Sequence, residues 1–209
     1  MRIIIVSTYD HEGGAARAAY RLYRALNEHA GIECMIYVQK KQTDDPKIIG
    51  STSRREKVFE LIRPHLDQLP LFGRTKKNRN LFSFGWLSNT KLVNTINELK
   101  PDVVNLHWIC KGQLSIEDLR QIRAPLIWTM LDYWPFTGGC HLTDGCEKFK
   151  SLCSECPQLE DSALYDPIDW TFNRKRELLS KKKIVFVAVS QWLKSQADSS
   201  ALLKGQTVK

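Results

Sequence analysis

The chain opens on RIIIVS, Arg2 to Ser7, in which four β-branched apolar residues follow one another with no polar side chain between them. A strand of that composition has no face to give to water, so it belongs in a parallel sheet covered on both sides by helices. A polar loop, TYDHEGG, then leads into a segment from Ala15 to His29. There Ala19, Leu22, Tyr23 and Leu26 recur at helical spacing, and Gly31 stands where a helix would stop. A second apolar run, Ile32 to Gln39, completes a strand, helix, strand opening, and the expected fold class is α/β with a parallel sheet.

Further along, Glu56 to Leu69 reads as a helix that Pro64 would kink, and RTKKNRN as a polar loop. Leu92, Val93, Ile96 and Leu99 mark a helix face with Ser88 or Asn89 as its cap. PDVVNLHW and APLIWTML read as two more buried strands, separated by a short helix near Ser115 to Ile122. After a cysteine-rich excursion come a helix from about Asp169 to Ser180, the strand KIVFVAVS and a helix beginning after Ser190. The closing GQTVK has the look of another strand's first residues, as expected at a natural sheet edge or where a longer protein continues.

With 209 residues and 43% hydrophobic content, the chain can bury one sizeable core, which fits one domain with an excursion. The apolar run at the N-terminus meets Asp10 too soon for a secretion signal, and no segment approaches the length of a membrane span. A cytoplasmic location is therefore expected. Lys and Arg outnumber Asp and Glu by 31 to 23, a net charge of +8. That balance suits an anionic partner, or simply solvated loops and helix ends. The six tryptophans lie in strand and loop contexts away from the basic clusters, and no nucleic-acid-binding motif occurs, so no nucleic acid partner is expected. The basic residues could hold the protein against anionic lipid, although no amphipathic helix shows a strongly basic face.

Gly13 and Gly14 fall just after the first strand, at the mouth of the first helix. Unpaired backbone N–H groups there suit a phosphate; the plainer reading is a tight turn that needs a positive φ. A dinucleotide site would need a third glycine in the G-x-G-x-x-G pattern and an acidic residue after the second strand, where this chain has Gln39, Lys40 and Lys41. The phosphate-loop pattern G-x-x-x-x-G-K-[ST] is also missing. Hydride transfer thus drops well down the list, with an NADP site left open by the basic residues after the second strand.

Cys140, Cys146, Cys153 and Cys156 follow the pattern C-x5-C-x6-C-x2-C. In a reducing compartment a cluster with a C-x2-C knuckle points first to structural zinc, held by four thiolates or with His141 replacing one of them. Unligated thiols and a redox or disulfide role are the alternatives. A catalytic metal is not expected, because four protein ligands leave no open position. Cys34 and Cys110 lie in strand-like contexts and read as small buried hydrophobes.

The segments GGAARAAYRLYRAL, VVNLHW, WTMLDYWPFTGGCHLTDGCEKFKSLCSECPQL and FVAVSQWLKSQ, in this order and spacing, resemble the N-terminal half of GT-B glycosyltransferases of family 4. The likeness covers nearly the whole chain and is closest to the enzymes that build bacterial surface polysaccharides. It implies a Rossmann-like parallel sheet with helices on both faces. Residues 1–209 would be the acceptor-side domain, with the cysteine-rich loop 138–160 as its excursion and a C-terminal donor-binding domain absent after Lys209. The implied activity is retaining transfer of a hexose from a nucleotide-sugar donor to a saccharide or lipid-linked saccharide acceptor, without a catalytic metal. It would take place in the cytoplasm or peripherally at the inner face of the plasma membrane. This polypeptide alone need not be active.

Carried over by position, Gly13 and Gly14 match the turn that approaches the donor phosphates or sugar, and Arg17 the polar residue on the following helix. Asp132, just past the strand PLIWTML, would orient an acceptor hydroxyl or act as a base; a loop-capping role is the alternative. Trp134, Gly138, Gly139 and Ser190 fall on the acceptor side. Relatives commonly carry a histidine immediately before that aspartate, where this chain has Leu131. Its role is unfilled or passes to His107, which otherwise reads as a core histidine, with His11 as a third candidate. The competing function is a non-catalytic, zinc-stabilised binding domain that recruits a polysaccharide precursor or a protein partner.

Overall fold

The computed structural model describes residues 1–51, 53–160 and 165–209. In chain order the elements are β1 (Arg2–Tyr9), α1 (Gly13–Asn27), β2 (Glu33–Lys40), β3 (Ile48–Ile49), α2 (Arg54–Leu66), α3 (Thr90–Leu99), β4 (Val103–Leu106) and α4 (Asp118–Gln121), continuing with β5 (Leu126–Met130), α5 (Pro167–Lys181), β6 (Ile184–Ala188), α6 (Gln191–Asp198) and β7 (Thr207–Val208). The strands form one sheet in the order β3-β2-β1-β4-β5-β6-β7. Every pairing is parallel. The expected Rossmann-like architecture is therefore present.

The burial of β1 explains its composition. Ile3 and Ile5 pack with Ala19 and Tyr23 of α1 and with Cys34, Ile36 and Val38 of β2 on one face. Ile4 and Val6 join the larger core with Val104, Leu106, Leu126 and Trp128 on the other. A strand so placed needs apolar residues at every position.

The chain builds outward from β1 to one edge through β2 and β3, then returns to the other side of β1 to add β4 to β7. That reversal opens a crevice beyond the C-terminal ends of β1 and β4, the place where open α/β sheets gather ligands.

Several local expectations are refined. The side chain of Asn89 caps α3, accepting from the amide of Leu92 at 3.1 Å, while Ser88 donates instead to Asp118 at 2.7 Å. The α2 helix starts earlier than its apolar pattern suggests, because Ser53 and Glu56 form a reciprocal capping box. Pro64 lies in its last turn. The polar loop RTKKNRN is tied down by an antiparallel bridge between Lys76 and Leu159, and the neighbouring Phe82 bridges Cys140. Thr207–Val208 pairs with β6, in line with the reading of GQTVK.

Candidate functional site

At the crevice, the rings of Tyr9 and Trp108 stack with centroids 6.5 Å apart. The ammonium of Lys111 lies 5.3 Å and 5.8 Å from those two ring centres and donates to the Tyr9 hydroxyl at 3.2 Å. The loop that carries Trp108 and Lys111 is clamped onto β1. The Thr8 hydroxyl donates to the carbonyl of Trp108 at 2.8 Å, and the side-chain amide Nε2 of Gln113 donates to the carbonyl of Ser7 at 2.7 Å. Lys111 itself sits at φ 55, a left-handed conformation that a non-glycine residue holds only when its surroundings enforce it.

Facing this wall is the N-terminus of α1. Its cap residue, Glu12, makes no capping bond, and the first turn carries no acidic residue. The Glu12 carboxylate is drawn away to Lys40, 3.4 Å distant. The first-turn amides are thus left open to a cleft of about 260 Å³ lined by Tyr9, Gly13, Gly14, Trp108 and Lys111 among others. Gly13 adopts φ +89, and a Cβ on Gly14 would meet nothing within 4 Å. Uncapped amides, the positive helix end and one ammonium make this a place for an anion. Arg17 is exposed one turn along the helix, its Nε donating to the carbonyl of Gly13 at 3.3 Å.

Asp132 stands two residues past β5 and is 19% exposed. Three donors hold it: the Trp108 indole N–H at 2.9 Å, the Trp134 amide at 2.9 Å and Nδ1 of His141 at 2.7 Å. Burial alone would push this carboxyl up; the bond and charge of His141, with the Trp134 amide and the Trp108 indole, outweigh it and hold Asp132 below the ordinary carboxylate value. Trp108 therefore joins the anion cleft to the carboxylate. The chain of contacts continues inward. His141 Nε2 lies 3.1 Å from the Ser83 hydroxyl, and beyond Ser83 stands Asp67, which accepts from the amide of Gly85 at 3.1 Å. Asp67 is completely buried, and burial pushes its carboxyl up to about 6.

The imidazole that meets Asp132 belongs to His141, which the sequence offered only as an alternative zinc ligand. His107 is buried at the end of β4, both ring nitrogens lack a partner among the described residues, and burial pushes it down to about 4, so it is neutral. His11 lies exposed in the loop before α1.

The residues that the resemblance assigns to the acceptor side lie mostly beneath the surface. The Trp134 indole is buried and donates to the carbonyl of Ser83 at 2.7 Å. Gly138 is pressed so closely onto α5 that a Cβ would come within 2.4 Å of Ile168, and Gly139 at φ +139 backs onto Ser83. Both glycines are needed for packing. Ser190 caps α6, accepting from the amide of Leu193 at 3.1 Å. The exposed aromatic on this side is Trp192, edge-on to Tyr133 at 5.6 Å. With Thr143, Asp144, Glu147 and Gln196 it lines a groove of about 420 Å³.

Trp108, Lys111 and Lys175 escaped the sequence reading. Lys175 of α5 is buried, its Nζ donating to the carbonyls of Trp134 and of Thr137, the latter at 3.0 Å, and lying 3.9 Å from the centre of the Trp134 ring. Burial pushes its amine down to about 7. It fastens the turn that follows Asp132. Its signal was a lysine on the helix stripe of Ile168, Phe172 and Leu179.

All six cysteines are free thiols, and Cys34 and Cys110 are buried in the two cores as expected. Cys140, Cys146, Cys153 and Cys156 line one small cavity. As their side chains stand, no group of three or more His, Cys, Asp or Glu among the described residues is arranged to hold a metal ion.

No family model matches the chain. It is 39% identical over 203 residues to the "Putative colanic acid biosynthesis glycosyl transferase WcaC" of Escherichia coli (strain K12), an alignment that covers 89% of this chain and 45% of the relative. The chain thus spans about half the length of the curated relative it matches. A UGT transferase from Siraitia grosvenorii, solved in complex with UDP, aligns with 99% of this chain and 46% of its own at 13% identity and a TM-score of 0.44, too distant for its ligand to bear on the site.

Proposed function

We propose that this chain is the acceptor-side half of a GT-B glycosyltransferase of family 4, working in cell-surface polysaccharide biosynthesis. With a donor-binding half it would transfer a hexose from a nucleotide-sugar to a saccharide or lipid-linked saccharide, with retention and without a catalytic metal. The observation that carries this reading is the crevice itself, where the uncapped start of α1 faces Lys111 across a cleft at the reversal of strand order. Developing charge on a diphosphate leaving group is what such amides and an ammonium stabilise. The likeness to the colanic acid protein supports the same class.

In this reading Gly13 and Gly14 let the donor phosphates approach, Lys111 pairs with them, and Arg17 flanks them. Asp132, kept ionised by His141 and Trp108, orients the acceptor hydroxyl. The groove beside Trp192 offers a flat aromatic surface and polar side chains to a sugar ring. A lipid-linked acceptor would bring the protein to the inner face of the plasma membrane. No helix among the described residues is long and apolar enough to cross a membrane. Peripheral contact with lipid would fall on α2, where Val58, Phe59, Leu61 and Ile62 are exposed near Arg54, Arg55 and Lys57.

Isothermal titration with UDP- and GDP-sugars tests the site. The parent chain should bind one of them, and Lys111→Met should weaken that binding about tenfold, the scale of one charge-assisted contact. Equal affinity in the variant would remove Lys111 from the donor site.

A further inference from the structure

We propose that Cys140, Cys146, Cys153 and Cys156 form a closed four-thiolate site for one structural zinc ion, which fixes the loop that presents His141 to Asp132. The inference does not depend on the glycosyltransferase reading.

The four thiols come from a loop with almost no regular structure. Between Gly138 and Glu160 it holds a single turn of 3-10 helix, Lys148–Lys150, yet all four cysteines border one cavity of about 20 Å³. That is room for one small occupant. The backbone bends sharply just before two of them. Asp144 and Gly145, at φ 51 and 80, precede Cys146, and Glu155, at φ 44, precedes Cys156. Two of these three residues are not glycine, and hydrogen bonds from Asn78 to Asp144 and from the Glu155 amide to Asp166 hold the turns.

Thiols bind zinc as thiolates, each releasing its proton to solvent as the metal enters. The resulting site would carry a formal charge of about −2, and two lysines face it, Lys175 near Cys140 and Cys153, and Lys148 near Cys156. Asp166 is the carboxylate near Cys156.

Side-chain rotation into the cavity is required, since the sulfurs do not yet surround a common point at zinc–sulfur distance. With four protein ligands there is no open coordination position, so the ion would not act on substrate. Its consequence is positional. Cys140 bridges Phe82, and the next residue, His141, bonds the backbone of Leu81 and of Tyr133 while its ring holds Asp132.

The test is metal analysis of the full chain, purified with a thiol reductant and without chelator, beside cobalt(II) substitution read by absorption. About one zinc per chain and an intense thiolate–cobalt charge-transfer band are expected. Cys153→Ser and Cys156→Ser should each lower the zinc content several-fold, while Cys34→Ser, outside the cluster, should leave it unchanged. Hydrogen exchange on the parent chain, with and without chelator, needs no variant; chelation should speed exchange in residues 133–160 and spare β1 and β4. A chain with neither zinc nor the cobalt band would overturn the proposal. So would a mass two hydrogens light within this loop, which would signal a disulfide, or zinc kept by both cluster variants.

Discussion

Two buried residues with opposite habits govern how this protein meets acid. Asp67 carries a carboxyl raised to about 6, so the folded state binds more protons than the unfolded one between about 4 and 6. Its contribution to stability therefore falls as pH rises through that window. His107, lowered to about 4, does the reverse: the folded state binds fewer protons between about 4 and 6.5, and stability is lost as pH falls. The two slopes oppose each other over nearly the same range. Asp67→Asn keeps an acceptor for the amide of Gly85 but removes one of them. The variant should be more stable than the parent by about 2–3 kcal/mol at pH 7, with the gain fading toward pH 4. Urea unfolding at the two pH values measures it, and a variant less stable at pH 7 would show that the Asp67 carboxylate is better matched to its surroundings than its burial implies.

Among the elements, α1 decides whether the crevice can take an anion. Its opening glycines have different duties. Gly13 occupies φ +89, where an L side chain is strained, so Gly13→Ala should destabilise the chain by about 1–2 kcal/mol in thermal or urea unfolding. Gly14 has open space where a Cβ would go, and Gly14→Ala should cost little stability. Equal losses at the two positions would contradict the conformational account of the turn. The helices and long strands were legible because burial imposes a period on the sequence. The two residues of β3 are too short to carry one, and Lys175 hid because a lysine on an apolar stripe reads as an interruption of it. The pairing of His141 with Asp132 spans nine residues of irregular chain, and no local rule links two such positions. The tryptophan that joins the two halves of the site stands one residue from the histidine that the sequence singled out.

At the scale of the whole molecule, a seven-stranded parallel sheet reverses its strand order between β1 and β4, and the residues carrying the proposed chemistry collect beyond those strand ends. Another cleft, of about 410 Å³, lies between the end of β2 and the helices α2 and α3, lined by Tyr37, Phe59, Arg63 and Lys91 among others. It competes with the crevice for any ligand. Amide chemical-shift mapping of the isotopically labelled chain, titrated with UDP, separates the two most directly. The account predicts that the largest shifts fall on Gly13, Gly14, Ala15 and Lys111, with smaller ones at the Trp108 indole. Shifts clustered instead on Tyr37, Phe59 and Lys91, with the start of α1 unmoved, would contradict it.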